Sequence, residues 1–222
     1  MAGDAPPTER PLRRDAQRNR EKIIAAGHEV FAVRGFAATL DDVARHAGVG
    51  VGTVYRRFPT KESLVQALFA ERMEAMADLA DGALRAESAW DGIVAFLTAL
   101  ARMHAEDRGL HHAVLSLGIH EFAEVKDRVL TMLDRLITRA QAEGSLRCDV
   151  VVTDLPVIFA VVGDLAGSGA GSRPDVYRRY LQLIIDGLRA GPHNGELGAP
   201  LSRNDLEAVI AGHVPAIEGR RR

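Results

Sequence analysis

The stretch Thr39–Lys61, TLDDVARHAGVGVGTVYRRFPTK, constrains this chain more than any other. Thr39 stands where a helix can begin and Asp42 follows three residues later. That is the spacing at which a hydroxyl and an acidic side chain satisfy each other's orphan backbone N–H groups. Leu40, Val43 and Ala47 then fall on one face of the predicted helix. Gly48 sits where a helix stops in the left-handed conformation, and Val49 follows as an apolar plug. Gly50 is a modest cap for a second helix that turns Val54 and Phe58 inward. Val51, Thr53, Tyr55, Arg56 and Arg57 are left facing outward. Two short helices across a tight glycine turn, with hydroxyl, aromatic and guanidinium groups on the free face, describe a helix-turn-helix. The expectation is that this stretch reads DNA.

A formal charge of −2 over 222 residues does not look like a DNA binder, but the average hides an asymmetry. Residues 1–61 hold eleven Lys/Arg against seven Asp/Glu, a net of +4, which leaves −6 for the remainder. A basic head on an acidic body confines the electrostatic footprint to one end. With 47% apolar residues and only 5% aromatics, the chain favours helix over sheet. Cys148 is the only cysteine, which excludes an intrachain disulfide and a thiolate metal cage. Neither a secretory signal nor a run of the length a membrane span requires is present, so the expected setting is cytoplasmic, with no membrane partner.

The chain divides by its punctuation. Residues 1–14 carry three prolines and a basic cluster and are expected to form a disordered arm. A helix from about Asp15 bears the apolar stripe Ile23, Ile24, Gly27, Val30 and Phe31, and stops at Arg34-Gly35. Phe36 is expected to tuck beneath the helix-turn-helix, which closes a three-helix DNA-binding domain over 15–62. A long helix from about Thr60 to Leu84 starts in that head and ends in a helical body over 63–190. Further helices are expected over 90–107, 110–118, 122–144, 150–167 and 174–190. Of these, 150–162 has the composition of a strand, and Pro156 is an awkward guest inside it. Residues 191–222 read as a flexible tail with room for one small helix over 202–210. The fold class is therefore all-α.

The ordered run Arg34-Gly35-Phe36, Thr39, Asp42-Val43-Ala44, Ala47-Gly48-Val49, Gly52-Thr53-Val54-Tyr55-Arg56-Arg57-Phe58 and Lys61-Glu62-Ser63-Leu64 resembles the DNA-binding domain of the tetracycline-repressor (TetR) family. The resemblance implies a homodimer that sets one recognition helix per subunit into successive major grooves of a palindromic operator. It also implies a body that binds a small-molecule effector and thereby releases DNA; a DNA-binding activator or architectural protein without an effector is the competing reading. Carried onto this chain, Val51, Gly52 and Thr53 lie where base edges are met, and Tyr55 matches the tyrosine that reaches a phosphate. Lys61 is placed to pair with phosphate at a helix N-terminus. Thr39 either caps alone or also touches phosphate. Arg56 and Arg57 suit guanine or phosphate, or solvate the helix end. Gly50 departs from the polar residue common in the family, which removes one backbone contact. Arg13, Arg14, Arg18 and Arg20 form either a DNA-contacting arm or a solvated tail.

In the body, Trp90, Phe96, Met103, His104, His120, Phe122 and Phe159 are the candidates for an effector pocket, since such pockets are mostly apolar with few polar anchors; ordinary core is the competing reading. His111 and His112 are adjacent and point apart on a helix, and His120 with Glu121 and Glu124 meets a metal spacing only in part. No metal or other cofactor is expected. The resemblance implies a dimer interface on the last two large helices, for which Val161, Leu165, Leu181, Ile184, Ile185 and Leu188 are the apolar candidates. No phosphate loop, nucleophile elbow or motif-placed carboxylate pair marks an enzyme.

Overall fold

The computed structural model describes residues 9–106, 110, 122–168 and 175–206. Among them the regular structure is entirely helical: α1 (Glu9–Arg34), α2 (Leu40–Ala47), α3 (Val51–Arg57), α4 (Lys61–Leu84), α5 (Ala89–Glu106), α6 (Ala123–Ala142), α7 (Asp154–Ser168) and α8 (Val176–Leu188). A single 3-10 turn, Gly35–Ala37, joins α1 to the helix-turn-helix. The expected helix over 110–118 lies almost wholly outside the described residues, as does the part of the tail beyond 206.

The chain forms two compact units, Met1–Phe69 with Gly109–Ile119, and Ala70–Arg108 with His120–Arg222. The first unit's core is built from Ile23, Ile24, Val30 and Phe31 of α1, Leu40, Val43 and Ala44 of α2, Val54 of α3, and Leu64, Val65 and Leu68 of α4. The unit therefore extends past residue 62, because the first two turns of α4 bury their apolar face there. Gly27 admits this packing: a Cβ at that position would meet Leu68 Cδ2 at 2.9 Å. Leu110 is also fully buried in this core, a contribution from beyond α5 that sequence periodicity did not reveal.

Helix α1 starts at Glu9 rather than at Asp15. Pro11 lies in its first turn, where backbone N–H groups have no intrahelical partner and a proline costs little. The same rule resolves Pro156. Helix α7 begins at Asp154, so Pro156 is its third residue, and the Asp154 carboxylate accepts the Val151 N–H at 2.9 Å.

In the second unit, α5 supplies Trp90, Ile93, Phe96, Leu97 and Leu100 to a core shared with α6, α7, α8 and the later turns of α4. One polar clamp organises the α4–α5 junction. The Arg139 guanidinium of α6 donates to the carbonyls of Leu84, at 3.4 Å, and Ala86, at 2.8 Å. It pairs at 2.8 Å with Glu143, whose carboxylate accepts the Ala89 N–H at 3.0 Å. One ion pair thus satisfies the end of one helix and the start of the next.

The segment after α8 is hydrogen-bonded to the second unit, where a free linker was expected. Arg147 and Leu188, and Ala190 and Ser145, are joined by backbone hydrogen bonds of 3.1 and 3.0 Å around the bridge Leu146–Arg189. Asp149 is held by Arg147 at 2.6 and 2.8 Å and accepts the Leu197 N–H at 3.1 Å. Thr153 donates to the Leu201 carbonyl at 3.0 Å, and Leu206 is buried. The hydrogen bond from Arg147, then that from Leu197, holds the Asp149 carboxyl well below the usual carboxylate range. A carboxylate of this kind contributes stability above its ordinary pKa of about 4 and loses it as the pH falls towards its folded value. Asp149→Asn is thus expected to lower the thermal midpoint at pH 7, with the gap to the parent chain narrowing below about pH 4 in a melting series.

Candidate nucleic-acid interface

The helix-turn-helix is assembled from local signals that agree with one another. Thr39 is extended, its hydroxyl accepts the Asp42 N–H at 3.1 Å, and Asp42 Oδ2 accepts the Thr39 N–H at 3.2 Å and its hydroxyl at 2.8 Å. These bonds, the hydroxyl's first, and then Arg34 hold the Asp42 carboxyl below the usual range. Because the hydroxyl proton is given to Asp42, Thr39 has no donor left for a phosphate unless the cap opens. Gly48 ends α2 in the left-handed region at φ 64° and ψ 31°, and Val49 N–H returns to Ala44 at 3.1 Å. Gly50 opens α3 with no side-chain cap.

Val54 and Phe58 turn inward and are buried, which fixes the rotation of α3 about its axis. That rotation leaves Val51 and Tyr55 nearly half exposed, at 45% and 46%, with Gly52, Arg56 and Arg57 exposed and Thr53 half-buried. Arg56 donates to the Thr53 hydroxyl at 3.2 Å, so the two form one polar unit in which the Thr53 proton stays available. Arg56 and Arg57 lie in the last turn of α3, where cations are favoured by the helix dipole.

Lys61 is the first residue of α4, the end where a cation is disfavoured by that dipole. Thr60 caps the helix, accepting the Ser63 N–H at 3.1 Å. The Lys61 ammonium lies 5.8 Å from the Phe31 ring centroid, and partial burial pushes it below the usual lysine range. Both costs fall when an anion approaches. Of the arm residues, Arg18 pairs with Asp15 at 3.3 Å and Arg20 is half-buried on α1. Only the backbone of Arg13 and Arg14 is described, within α1, and the Phe36 side chain lies outside the described residues.

The body candidates separate. Trp90 is buried, with Arg189 stacked at 4.9 Å from its ring centroid, and Phe96 is buried edge-on to Phe159 at 5.9 Å. His104 packs against α7, where a Cβ on Gly163 would meet its ring at 2.5 Å. Phe122 is half-buried at the start of α6, and His111, His112 and His120 lie outside the described residues. Among the described residues of this group Met103 alone lines a cleft of about 340 Å³, together with Ala75, Asp78 and Leu79 of α4 and Ala99, Arg102 and Glu106 of α5. None of its other lining residues carried a motif that sequence reading could have used.

The dimer candidates separate by burial. Leu181, Ile185 and Leu188 are buried in the body's own core together with Tyr177. The 3.6-residue period therefore turns Tyr180 and Leu183 outward, at 45% and 56% exposed, with Ile184 half-buried beside them. On α7 Val161 is exposed and Leu165 half-buried. Sequence hydrophobicity did not distinguish the two stripes of α8, since both are apolar.

This architecture, a helix-turn-helix with an exposed recognition helix in a chain whose described regular structure is helical, is that of a helix-turn-helix transcriptional regulator. The profile of "Bacterial regulatory proteins, tetR family" matches residues 23–68, and that of "Transcriptional regulator SbtR-like, C-terminal domain" matches residues 88–190. The chain belongs to the tetR family of bacterial transcriptional regulators. A TetR transcription regulatory protein from Mycobacterium vanbaalenii is 34% identical, and the match covers 81% of this chain and 99% of that one with a TM-score of 0.62. The regulator SCO0520 of Streptomyces coelicolor is 31% identical over 77% and 98% of the two chains, with a TM-score of 0.61. The HTH-type transcriptional repressor KstR2 of Rhodococcus jostii is 27% identical, the match covering 79% of this chain and 93% of that protein. No helix among the described residues is long and apolar enough to cross a membrane.

Proposed function

We propose that this chain is a repressor that binds a palindromic operator as a homodimer and is released by a small molecule bound in its body. The observation that carries the DNA reading is the outward face of α3. Val51, Thr53 and Tyr55 take no part in the core, while Val54 and Phe58 lock the helix beneath them. In this reading Val51 and the Thr53–Arg56 pair meet base edges, while Tyr55, Lys61 and Arg57 position the head on phosphates. The dimer is built on the outward stripes of α7 and α8, namely Val161, Leu165, Tyr180, Leu183 and Ile184. A monomer leaves Val161, Tyr180 and Leu183 exposed, with Leu165 and Ile184 only partly covered. The repressor sense is supported by the similarity to KstR2, which is named a repressor. We place the effector in the α4–α5 cleft around Met103, where Ala75, Leu79 and Ala99 are joined by the polar groups of Asp78, Arg102 and Glu106.

The test is a binding selection from a random duplex library with the full-length chain. Recovery of a palindrome is the expected result, and enrichment of no motif sinks the proposal. On the recovered duplex, Tyr55→Phe is expected to weaken binding to every sequence by roughly fivefold per subunit, the worth of one hydrogen bond. Thr53→Ala is instead expected to relax preference at one base position, by about 1–3 kcal/mol of discrimination. A motif unchanged by Thr53→Ala removes that residue from the readers.

A further inference from the structure

Asp42 is the most heavily engaged side chain of the helix-turn-helix, and capping accounts for only half of its partners. Oδ2 takes the backbone N–H and hydroxyl of Thr39. Oδ1 takes two guanidinium groups, Arg34 at 2.8 Å and Arg45 at 3.2 Å. Arg34 is the last residue of α1, whereas Arg45 belongs to α2 itself. The Asp42 side chain is 12% exposed, so its charge is largely withdrawn from solvent and depends on these donors. A second polar link joins the same helices five residues earlier on α1: His46 of α2 lies 2.6 Å from Glu29. The side chains of that pair are 48% and 68% exposed, so it is the weaker of the two.

We infer that the Arg34–Asp42 ion pair is a positioning device for operator recognition, setting the start of α2, and through the Gly48 turn the position of α3, against the end of α1. This inference rests on the DNA reading given above. The geometric need is plain. Helix α3 has seven residues and anchors itself by Val54 and the following Phe58, so its placement is inherited from α2. Helix α2 has eight residues and buries Leu40, Val43 and Ala44; apolar burial is non-directional and opposes separation from α1 more than sliding along it. A directional, charge-assisted bond at its first turn supplies the missing constraint. Base readout demands placement to a fraction of an ångström, whereas attraction to the phosphate backbone tolerates displacement. Loss of the pair therefore falls on specific binding and spares non-specific binding.

The experiment measures, at one salt concentration, the affinity of the full-length chain for the duplex recovered by selection and for random-sequence duplex. Arg34→Gln and Asp42→Asn are each expected to lower the specific-to-random ratio by about tenfold, and the double variant is expected to lose no more than either alone, as coupled partners do. Arg34→Lys keeps the cation and is expected to retain most of the ratio. Simple destabilisation scales both affinities by the same folded fraction and leaves the ratio unchanged, so an unchanged ratio overturns the inference. Losses that multiply in the double variant overturn it too, as does a loss in Arg34→Lys equal to that in Arg34→Gln. Arg34 is half exposed, so its replacement leaves the core intact. A parent chain that enriches no motif defeats the DNA reading itself, and this inference with it. An enriched motif with an indifferent Arg34→Gln defeats the inference alone.

Discussion

Gly92→Ala is expected to cost about 3 kcal/mol of stability, lowering the thermal midpoint by roughly 6–12 °C. A Cβ on Gly92 would stand 2.3 Å from the Ala83 carbonyl oxygen and 3.1 Å from its carbonyl carbon, with the Ala86 methyl at 3.3 Å. Two of these three atoms are backbone, and no rotamer change can move them aside. Helix α5 must instead back away from the end of α4, at the junction where Arg139 and Glu143 hold both helices. Alanine's better helix propensity, worth about 1 kcal/mol, opposes the effect but is smaller than the overlap penalty. Gly82→Ala provides the control. A methyl group at position 82, within α4, would have no atom within 4 Å, so the propensity term acts alone and the midpoint should rise. Calorimetry on both variants decides the matter, and equal midpoints would mean that α5 accommodates the methyl group.

The second large effect is expected from Leu183→Glu. Leu183 is 56% exposed on the outward stripe of α8, so a carboxylate there is harmless to a folded monomer. At the centre of the proposed dimer face the same carboxylate buries a charge with no partner, which is strongly unfavourable. Sedimentation is expected to show a monomer with unchanged helicity. Operator affinity should fall on the order of a hundred- to ten-thousand-fold, because two linked half-site contacts become one. Leu181→Glu makes the contrast, since Leu181 is 4% exposed in the body's own core and its replacement should unfold the chain instead. A Leu183→Glu protein that remains dimeric places the interface elsewhere.

The helix-turn-helix was legible in the residues because each of its determinants is local. The Thr39–Asp42 cap, the left-handed Gly48 and the inward Val54 and Phe58 act within a few residues, where side-chain type and spacing settle the backbone. The body was legible only as a series of helices. Trp90 and Phe96 have the same composition whether they line a cavity or fill a core, and periodicity alone does not choose. Arg139 reads as an ordinary exposed helix residue until its partners at Leu84 and Ala86, more than fifty positions earlier, are brought beside it.

Residue type and order by themselves therefore determined the helical class, the helix-turn-helix stretch and its outward face, since those follow from short-range sterics and capping. Tertiary structure alone decided which apolar stripe of α8 is buried in the core and which is turned outward. It also decided that Gly92 has no room for a methyl group and that Asp149 ties down the segment after α8. The physical reason is the same in each case. These properties depend on what lies across a helix interface from a side chain, and contacts between residues distant in sequence leave no spacing from which they can be read.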